Sequence, residues 1–184
     1  MNLSEEEKSH PKFHLFKEGI LDLSEETEHI IHHEEYDSFQ TIHKVIIGPY
    51  IQVIGDLAFW KCVNLEEVDF NGTCITQIPY GCFAWTSLKS IVLPTSISEI
   101  EWDSFLTCQN LSSIVLLGVK QIGGYAFGYC PNLTNIELSK QIEYIHPTAF
   151  HSSGHDKSIT IMCPQRFEKY FLKRFPNAIF ARNG

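Results

Sequence analysis

A phenylalanine recurs along this chain every 22 to 24 residues, at Phe59, Phe83, Phe105, Phe127 and Phe150. An isoleucine stands five residues before each of them, and an isoleucine or valine stands eight residues before. A period of about 20 to 50 residues is the signature of a solenoid, in which each repeat stacks on its neighbours. The sequence therefore predicts a repeat protein, whose usual role is to present a surface and not to enclose a catalytic pocket.

The residues that follow each phenylalanine predict one short strand per repeat. A leucine comes next and is followed by an apolar–x–apolar triplet, at Val68–Phe70, Ile91–Leu93, Ile114–Leu116 and Ile136–Leu138. Alternate residues of a strand face the same side, so each triplet places two side chains in the core. Strands stacked about 4.8 Å apart form a parallel sheet along one side of the solenoid.

The repeat pattern, I-x-x-I-x-x-x-x-F-x-x-C-x-N-L-x-x-I-x-L, resembles the BspA-type leucine-rich repeat. From its second isoleucine onward the pattern is visible at Ile100–Leu116 and Ile122–Leu138. The resemblance extends over roughly residues 42 to 162. It implies an α/β repeat fold, namely a right-handed leucine-rich-repeat solenoid with a parallel sheet of short strands. Loops and turns are expected to form most of the rest, with a short C-terminal capping helix.

The N-terminal part of the chain fits the repeat less well, and we expect an irregular cap there. Residues 13–40 form this cap, with Gly19–Leu23 as its strand. Phe39 is interpreted as the ring of a shorter first unit, although Glu34 then stands where an inner isoleucine belongs. A cap is needed because an end coil would otherwise expose its core to water.

The C-terminal part predicts a strand followed by a helix. Ile159–Ile161 supplies the last strand, and Gln165–Arg174 has the spacing of an amphipathic helix that Pro176 terminates. We therefore divide a single domain into an acidic tail and N-terminal cap (1–40), repeats (41–158) and a C-terminal cap (159–184).

Composition is that of one domain with a continuous core, since only 20% of the 184 residues are charged. No apolar run approaches the roughly 18 residues needed to span a bilayer, so no membrane insertion is expected. The N-terminus is acidic and lacks the basic-then-apolar pattern of a secretory signal. If Met1 is the native start, these features predict a cytoplasmic protein; otherwise a secreted or cell-surface location is expected.

Charge is distributed unevenly between the two ends. Residues 1–40 contain eleven acidic and three basic side chains, whereas residues 159–184 contain five basic and one acidic. The net charge of −8 predicts that the partner is not a nucleic acid, because phosphate binding needs clustered lysine and arginine. The polarity indicates either two solvated caps of unlike composition or an end-to-end contact between acidic and basic caps.

No residue pattern points to catalysis, a metal or a cofactor. His29, His32 and His33 have helical spacing but no cysteine partner, and no phosphate-binding loop or nucleophile elbow is present. Three of the six cysteines recur three residues after a phenylalanine, at Cys62, Cys108 and Cys130. A buried free thiol suits such an interior position, and so these cysteines are expected to be structural and reduced.

Two surfaces are candidate protein-binding sites. The outward-facing residues of the sheet form an apolar centre with an acidic border, made of Asp69, Val92, Val115, Leu117 and Glu137. An apolar patch with a polar rim is the composition of a protein interface. The second candidate is the loop edge after each phenylalanine, where large side chains recur at Trp60, Trp85, Leu106 and Tyr129.

These observations predict a non-enzymatic protein–protein interaction module. One interpretation is an intracellular scaffold or a subunit of a larger, for example cytoskeletal, assembly. The alternative, implied by the resemblance, is a secreted or surface adhesin that binds host or matrix proteins. That alternative would place glycans at the sequons of Asn71, Asn110 or Asn132 in a eukaryotic source.

Overall fold

The molecule is a solenoid of short strands wound around a continuous apolar core. The structure is a computed structural model that describes residues 4–70, 72–154 and 157–181. Asn71, which carries one of the three sequons, lies outside the described residues. The predicted repeat solenoid with parallel strands and a C-terminal helix is confirmed.

One side of the solenoid carries the strands that the triplets predicted, together with further strands toward both ends. They form a four-stranded sheet followed by a five-stranded sheet, at Phe16–Lys17, Ile20–Leu23, Lys44–Ile47 and Glu67–Asp69, then Ser90–Val92, Ser113–Leu116, Asn135–Leu138, Thr160–Met162 and Ile179–Phe180. All neighbouring strands are parallel and in register, except that the first pair is antiparallel. We call the outer surface of these two sheets the open face.

A second side carries two-residue strands that the sequence pattern had placed among loops. Each ends on the isoleucine five residues before the ring, at Ile30–Ile31, Val53–Ile54, Gln77–Ile78, Glu99–Ile100, Gln121–Ile122 and Tyr144–Ile145. The first two pair with each other, and the last four form one parallel sheet. The isoleucines point inward toward the core, while the residue before each of them is exposed.

The recurring phenylalanines stack into a column of rings through the centre of the core. The centroids of adjacent rings lie 5.1 to 5.5 Å apart, and the ring planes are nearly parallel. The column begins at Tyr36, whose ring lies 5.4 Å from that of Phe59 at an interplanar angle of 8°. Assignment of Phe39 to this position is therefore wrong, and Tyr36 is the ring of the first unit.

The corrected register also explains the inner isoleucine of the first unit. Ile31, five residues before Tyr36, pairs with Ile54 of the next coil and is buried. Glu34, previously assigned to that place, lies in the turn before the ring with φ 53°. The first unit thus follows the same pattern as the others once tyrosine is accepted at the ring position.

Breaks in both sides coincide with an irregular repeat interval. Strand pairing is absent between Glu67–Asp69 and Ser90–Val92, and between Val53–Ile54 and Gln77–Ile78, within the described part of the chain. Phe59 and Phe83 are 24 residues apart, the longest interval in the series. The extra residue lies between Phe70 and Ile75 in the sequence, a stretch in which Gly72 has φ +73° and open space around it.

Each end of the solenoid is closed by a cap. At the N-terminus, Phe16–Lys17 folds back antiparallel on Ile20–Leu23, and a helix at Glu5–Ser9 lies before it. At the C-terminus, a 3₁₀ turn at Gln165–Phe167 leads into a helix at Glu168–Arg174. Its Phe171 is fully buried with its ring 5.5 Å from that of Phe150, so the predicted capping helix is confirmed.

Candidate protein-binding surface

The strand register aligns outward-facing residues into rows across the open face. In the five-stranded sheet one such row runs Val92, Val115, Glu137 and Met162, because each pairs with the next. In the four-stranded sheet the equivalent row is Asp22, Ile46 and Asp69. Side chains in register on neighbouring strands are close enough to form one surface.

Two apolar side chains are therefore adjacent in the middle of the open face. Val92 is 65% exposed, and Val115 beside it is half-buried. Leu117, which follows the strand of Val115, is 49% exposed. Glu137 borders Val115 on one side, and Met162, half-buried, extends the apolar surface beyond it. Asp69 is exposed in the neighbouring sheet.

A shallow depression of about 140 Å³ lies on this part of the open face. It lies between the last three long strands, and Val115, Glu137, Thr160 and Met162 are among the residues that line it. Met162 was missed as a site residue, although its register position follows from the repeat pattern. A thioether side chain adapts its shape easily and suits a contact surface.

Ion pairs modify the charge of the open face toward the N-terminal end. Lys44 Nζ lies 2.6 Å from Glu67 Oε1 across neighbouring strands. The hydrogen bond that Lys44 donates to Glu67 raises the pKa of Lys44. Lys89 forms a second pair with Glu66 across the break between the sheets. The acidic border is thus partly neutralised on this side, whereas Glu137 lies on the other side of the apolar centre.

The loop-edge residues lie at one corner of the coil, at the first or second position after the ring. Trp85 and Tyr129 are exposed, whereas Trp60 and Leu106 are half-buried. Lys61 Nζ lies 3.8 Å from the centroid of the Trp60 ring. The Tyr129 ring contacts His151 at 5.3 Å. The four side chains therefore share a corner of the solenoid, and part of their area packs on the protein itself.

Cysteines three residues after the ring donate hydrogen bonds to the preceding coil. The thiols of Cys62, Cys108 and Cys130 lie 3.0 to 3.3 Å from the carbonyl oxygen of the ring residue one coil earlier. In the last unit Ser153 Oγ takes the same place and donates to Phe127 O. Burial raises the pKa of the Cys62 thiol, which is therefore an unreactive structural group.

All six cysteines are free thiols, and only Cys74 is exposed. In the described residues no three histidine, cysteine or carboxylate side chains are grouped as metal ligands. His29 Nδ1 instead lies 2.9 Å from the carbonyl oxygen of Tyr50. Within the same residues neither helix reaches the length or the hydrophobicity that crossing a bilayer requires.

A groove on the second side was missed by the sequence analysis. It has a volume of about 400 Å³ and is lined by aromatic, carboxylate and amide side chains and by one glycine, including Tyr80, Glu99, Glu101, Trp102, Gln121 and Tyr144. The available signal was positional, since Tyr80 and Trp102 both stand three residues before a ring. This positional signal can be interpreted as a surface feature only once the two-residue strands of this side are known.

The family model for the BspA type leucine rich repeat region matches this chain in 6 copies over residues 29–157. Those residues make up well over half of the sequence. The chain belongs to the BspA-type leucine-rich repeat family. The match begins near Ile31, in agreement with a first unit built on Tyr36 and earlier than the resemblance seen in the sequence alone.

Solved structures of leucine-rich repeat proteins share this fold. A leucine rich cell surface protein of Faecalibacterium prausnitzii is 31% identical with a TM-score of 0.62, over 67% of this chain and 32% of that one. A leucine-rich repeat protein of Eubacterium ventriosum is 26% identical with a TM-score of 0.63, over 68% of this chain and 34% of that one. This chain thus spans about a third of the length of both proteins.

A third neighbour is similar over most of its length. The leucine rich repeat protein of T. pallidum is 18% identical with a TM-score of 0.52, covering 92% of this chain and 89% of that one. At this identity the likeness shows the fold alone. No curated protein matches this chain.

Proposed function

We propose that this chain is a non-enzymatic module that binds a protein partner through its open face. The observation that carries the proposal is the adjacency of Val92 and Val115 in one outward row, with Val92 65% exposed. Burying such a surface against a partner releases water from apolar area, which is the main driving force of most protein associations. Membership in a leucine-rich repeat family supports a binding role over a catalytic one.

The polar border supplies orientation to this proposed contact. Asp69 and Glu137 lie on opposite sides of the apolar centre, and Leu117 extends it beyond the strand. Charged groups at the rim of an interface steer encounter and discriminate between partners more than they add affinity. We therefore assign the affinity to Val92, Val115 and Leu117 and the orientation to the two carboxylates.

The test compares substitutions that introduce a charge on the two sides of the solenoid. Val115→Asp and Leu117→Lys are expected to abolish partner capture, because each places a charge in the apolar centre. Val53→Asp is the matched control, since Val53 is exposed but lies on the second side. Capture from the native cells with crosslinking mass spectrometry measures the effect, and circular dichroism verifies folding. Equal capture by all three variants would rule out the open face.

The loop edge is a second, weaker candidate for partner contact. Trp85 and Tyr129 are exposed aromatic side chains on one corner, flanked by the half-buried Trp60 and Leu106. Aromatic residues are enriched among interface residues that dominate affinity. In the same capture assay, Trp85→Ala would reduce retention if this corner takes part and leave it unchanged otherwise.

The site of action is proposed to be the cell surface, with an intracellular scaffold as the second candidate. Similarity to a leucine rich cell surface protein at 31% identity favours the first. Six free cysteines favour the second, because disulfides are common in oxidising compartments. Labelling of intact cells with a membrane-impermeant reagent, followed by intact-mass measurement, distinguishes a surface protein from an internal scaffold subunit.

An end-to-end contact through the two caps completes the proposal. Lys169 and Lys173 are exposed on the C-terminal helix. At the other end Lys12 already pairs with Glu28 and Glu35, at 2.8 and 2.9 Å. The acidic cap is therefore partly neutralised internally, and the proposed contact draws on its remaining carboxylates. A heterologous contact of this kind would produce chains or rings of the molecule.

A further inference from the structure

The groove on the second side combines aromatic walls with two carboxylate side chains. Glu99, Gln121 and Tyr144 pair in register and form one of its edges. Tyr80 and Trp102, each two residues after the end of its strand, complete the aromatic lining. Trp102 is 51% exposed and Tyr144 is 49% exposed, so both rings remain accessible.

Two consecutive glycines let the preceding coil pack closely beside this groove. A Cβ at Gly123 would lie 2.7 Å from the backbone carbon of Glu101, and one at Gly124 would lie 2.6 Å from the indole ring of Trp102. The indole of Trp102 therefore lies across Gly124. The same indole also contacts the ring of His146, with 4.6 Å between the two centroids. Packing on one side fixes the ring, which reduces the entropy lost when a ligand binds to it.

The two charged side chains that line the groove are both carboxylates, Glu99 and Glu101. Glu101 accepts hydrogen bonds from Gln77 Nε2 at 3.0 Å and from the backbone N–H of Tyr80 at 3.1 Å. In the described part of the chain no lysine or arginine pairs with Glu99 or Glu101. Burial raises the pKa of Glu101, and the nearby carboxylates of Asp56 and Glu99 raise it further.

We propose that this groove binds a lysine or arginine side chain of a partner polypeptide. A cation over the face of a tryptophan or tyrosine is attracted by the ring, and carboxylates at the rim add direct charge complementarity. Such a side chain has an apolar stem that suits the aromatic walls and a charged head that suits Glu99 and Glu101. The site lies on a different side from the open face, so it stands independently of the function proposed above.

The favoured test is titration with a short arginine peptide and its neutral analogue. The probe is acetyl-Gly-Arg-Gly-Arg-Gly-amide, and the control replaces both arginines by citrulline, which keeps the shape and removes the charge. The indole N–H signal of Trp102 in a heteronuclear NMR spectrum reports binding. We expect the arginine peptide to shift this signal in a saturable, salt-sensitive manner and the citrulline peptide to have at least tenfold lower affinity.

Variants locate the binding in the groove. Gln121→Lys introduces a competing cation between Glu99 and Tyr144, and Trp102→Leu removes the central ring; each is expected to weaken binding of the arginine peptide about tenfold or more. Because Trp102→Leu lacks the indole reporter, its binding is followed through the backbone amide signal of Gly123, which also lines the groove. Ser90→Lys on the open face and Trp85→Leu on the corner are the matched controls, because both positions are exposed. Both controls are expected to bind like the unmodified protein.

Each remaining outcome would overturn the inference. Equal affinity for the arginine and citrulline peptides would show that charge is not recognised. A shift of the Trp102 signal with cellobiose or maltose, but with neither peptide, would assign the groove to carbohydrate. No shift with any of these probes would mean that the groove is unoccupied surface. None of these results depends on Val92, Val115 or Leu117, so failure here is distinguishable from failure of the open-face proposal.

Discussion

At the scale of single residues, the ring position carries more of the fold than any other. Tyr36, Phe59, Phe83, Phe105, Phe127 and Phe150 are all fully buried and stacked. Offset aromatic pairs add stabilisation beyond the burial of their area. Tyrosine is accepted at the end of the column, where the rings of His10 and Phe16 cover it at 5.0 and 6.0 Å.

Removing a central ring is expected to cost a large part of the stability. Phe105→Ala should lower the free energy of unfolding by about 3 to 5 kcal/mol, because it leaves a cavity between two neighbouring rings. Urea denaturation followed by fluorescence measures the loss. Trp85→Ala is the control, as its side chain is 48% exposed and should change stability by less than about 1 kcal/mol. A loss below about 1 kcal/mol for Phe105→Ala would contradict the stacked-core description.

At the scale of elements, the turns around each ring have a backbone conformation that the sequence did not reveal. Residues two before and two after the ring adopt φ between 53° and 61°, among them Leu57, Trp85, Tyr125 and Tyr129; in the last unit only Ser152, after the ring, does so. This region is normally occupied by glycine and is unfavourable for larger residues. It is maintained because N–H groups of the turn bond to carbonyls of the next coil, as Trp85 N does to Leu106 O at 2.8 Å.

The N-terminal helix is an element whose stability depends on one buried carboxylate. Ser4 and Glu7 form a capping box, and Glu7 Oε1 also accepts from Thr41 Oγ1 at 2.6 Å and from Thr41 N at 3.0 Å. Burial by itself would raise the pKa of Glu7, but the hydrogen bonds from Thr41 and Ser4 outweigh it and lower the pKa. This helix is therefore attached to the first coil through an ionised side chain.

Acid should release this attachment. A carboxyl whose pKa is lower in the folded protein stabilises it above the unfolded pKa, and this contribution is lost as pH falls through the folded value. Glu7→Gln is expected to destabilise the cap by about 1 to 2 kcal/mol at pH 7, and the difference from the unmodified protein should shrink toward pH 3. Hydrogen exchange at the Thr41 amide and urea denaturation at both pH values measure it.

Glu5→Gln serves as the control for this prediction. Glu5 lies in the same helix, but its ion pair with Lys8 is on the surface, with the Glu5 side chain 92% exposed. Surface pairs of this kind contribute little to stability. A pH-independent effect of Glu7→Gln, or an equal effect of Glu5→Gln, would show that the charge of Glu7 does not hold the helix.

At the scale of the whole molecule, stability comes from the stacking of each coil on the next, and the two end coils need caps. Each coil packs mainly on its two neighbours, so the caps protect the end rings from water. Phe171 and Phe175 cover Phe150 at one end, with ring centroids 5.5 and 6.5 Å away. The interruption between the units of Phe59 and Phe83 leaves their rings stacked at 5.4 Å, so the core remains continuous where the sheets do not.

The proposed contact between caps makes a prediction for the whole molecule. Self-association should increase with protein concentration and decrease between about 20 mM and 500 mM salt, because exposed charges are screened. Lys169→Glu together with Lys173→Glu should abolish it, whereas Lys120→Glu, exposed on the second side, should not. Sedimentation velocity measures the distribution. A monomer under all these conditions would exclude the end-to-end contact.

The sequence by itself determined the repeat, the order of long strands and the C-terminal helix, because ring, isoleucines and triplet each recur at fixed offsets and must face one core. It also predicted which strand residues point outward, since alternation along a strand fixes the side. The division into 1–40, 41–158 and 159–184 stays a prediction, as do the partner-binding roles of the open-face and loop-edge residues.

Tertiary structure alone decided the first unit, the second side and the groove. Stacking requires a planar ring, and the Tyr36 ring meets this requirement despite its buried hydroxyl. The sequence pattern considered only phenylalanine for this position, and Phe39 was therefore assigned to it wrongly. The two-residue strands and left-handed turns have too few residues for a local signal, since their backbone partners belong to the next coil. The groove arises where Gly123, Trp102 and Tyr144 from three different coils meet, and only stacking brings them together.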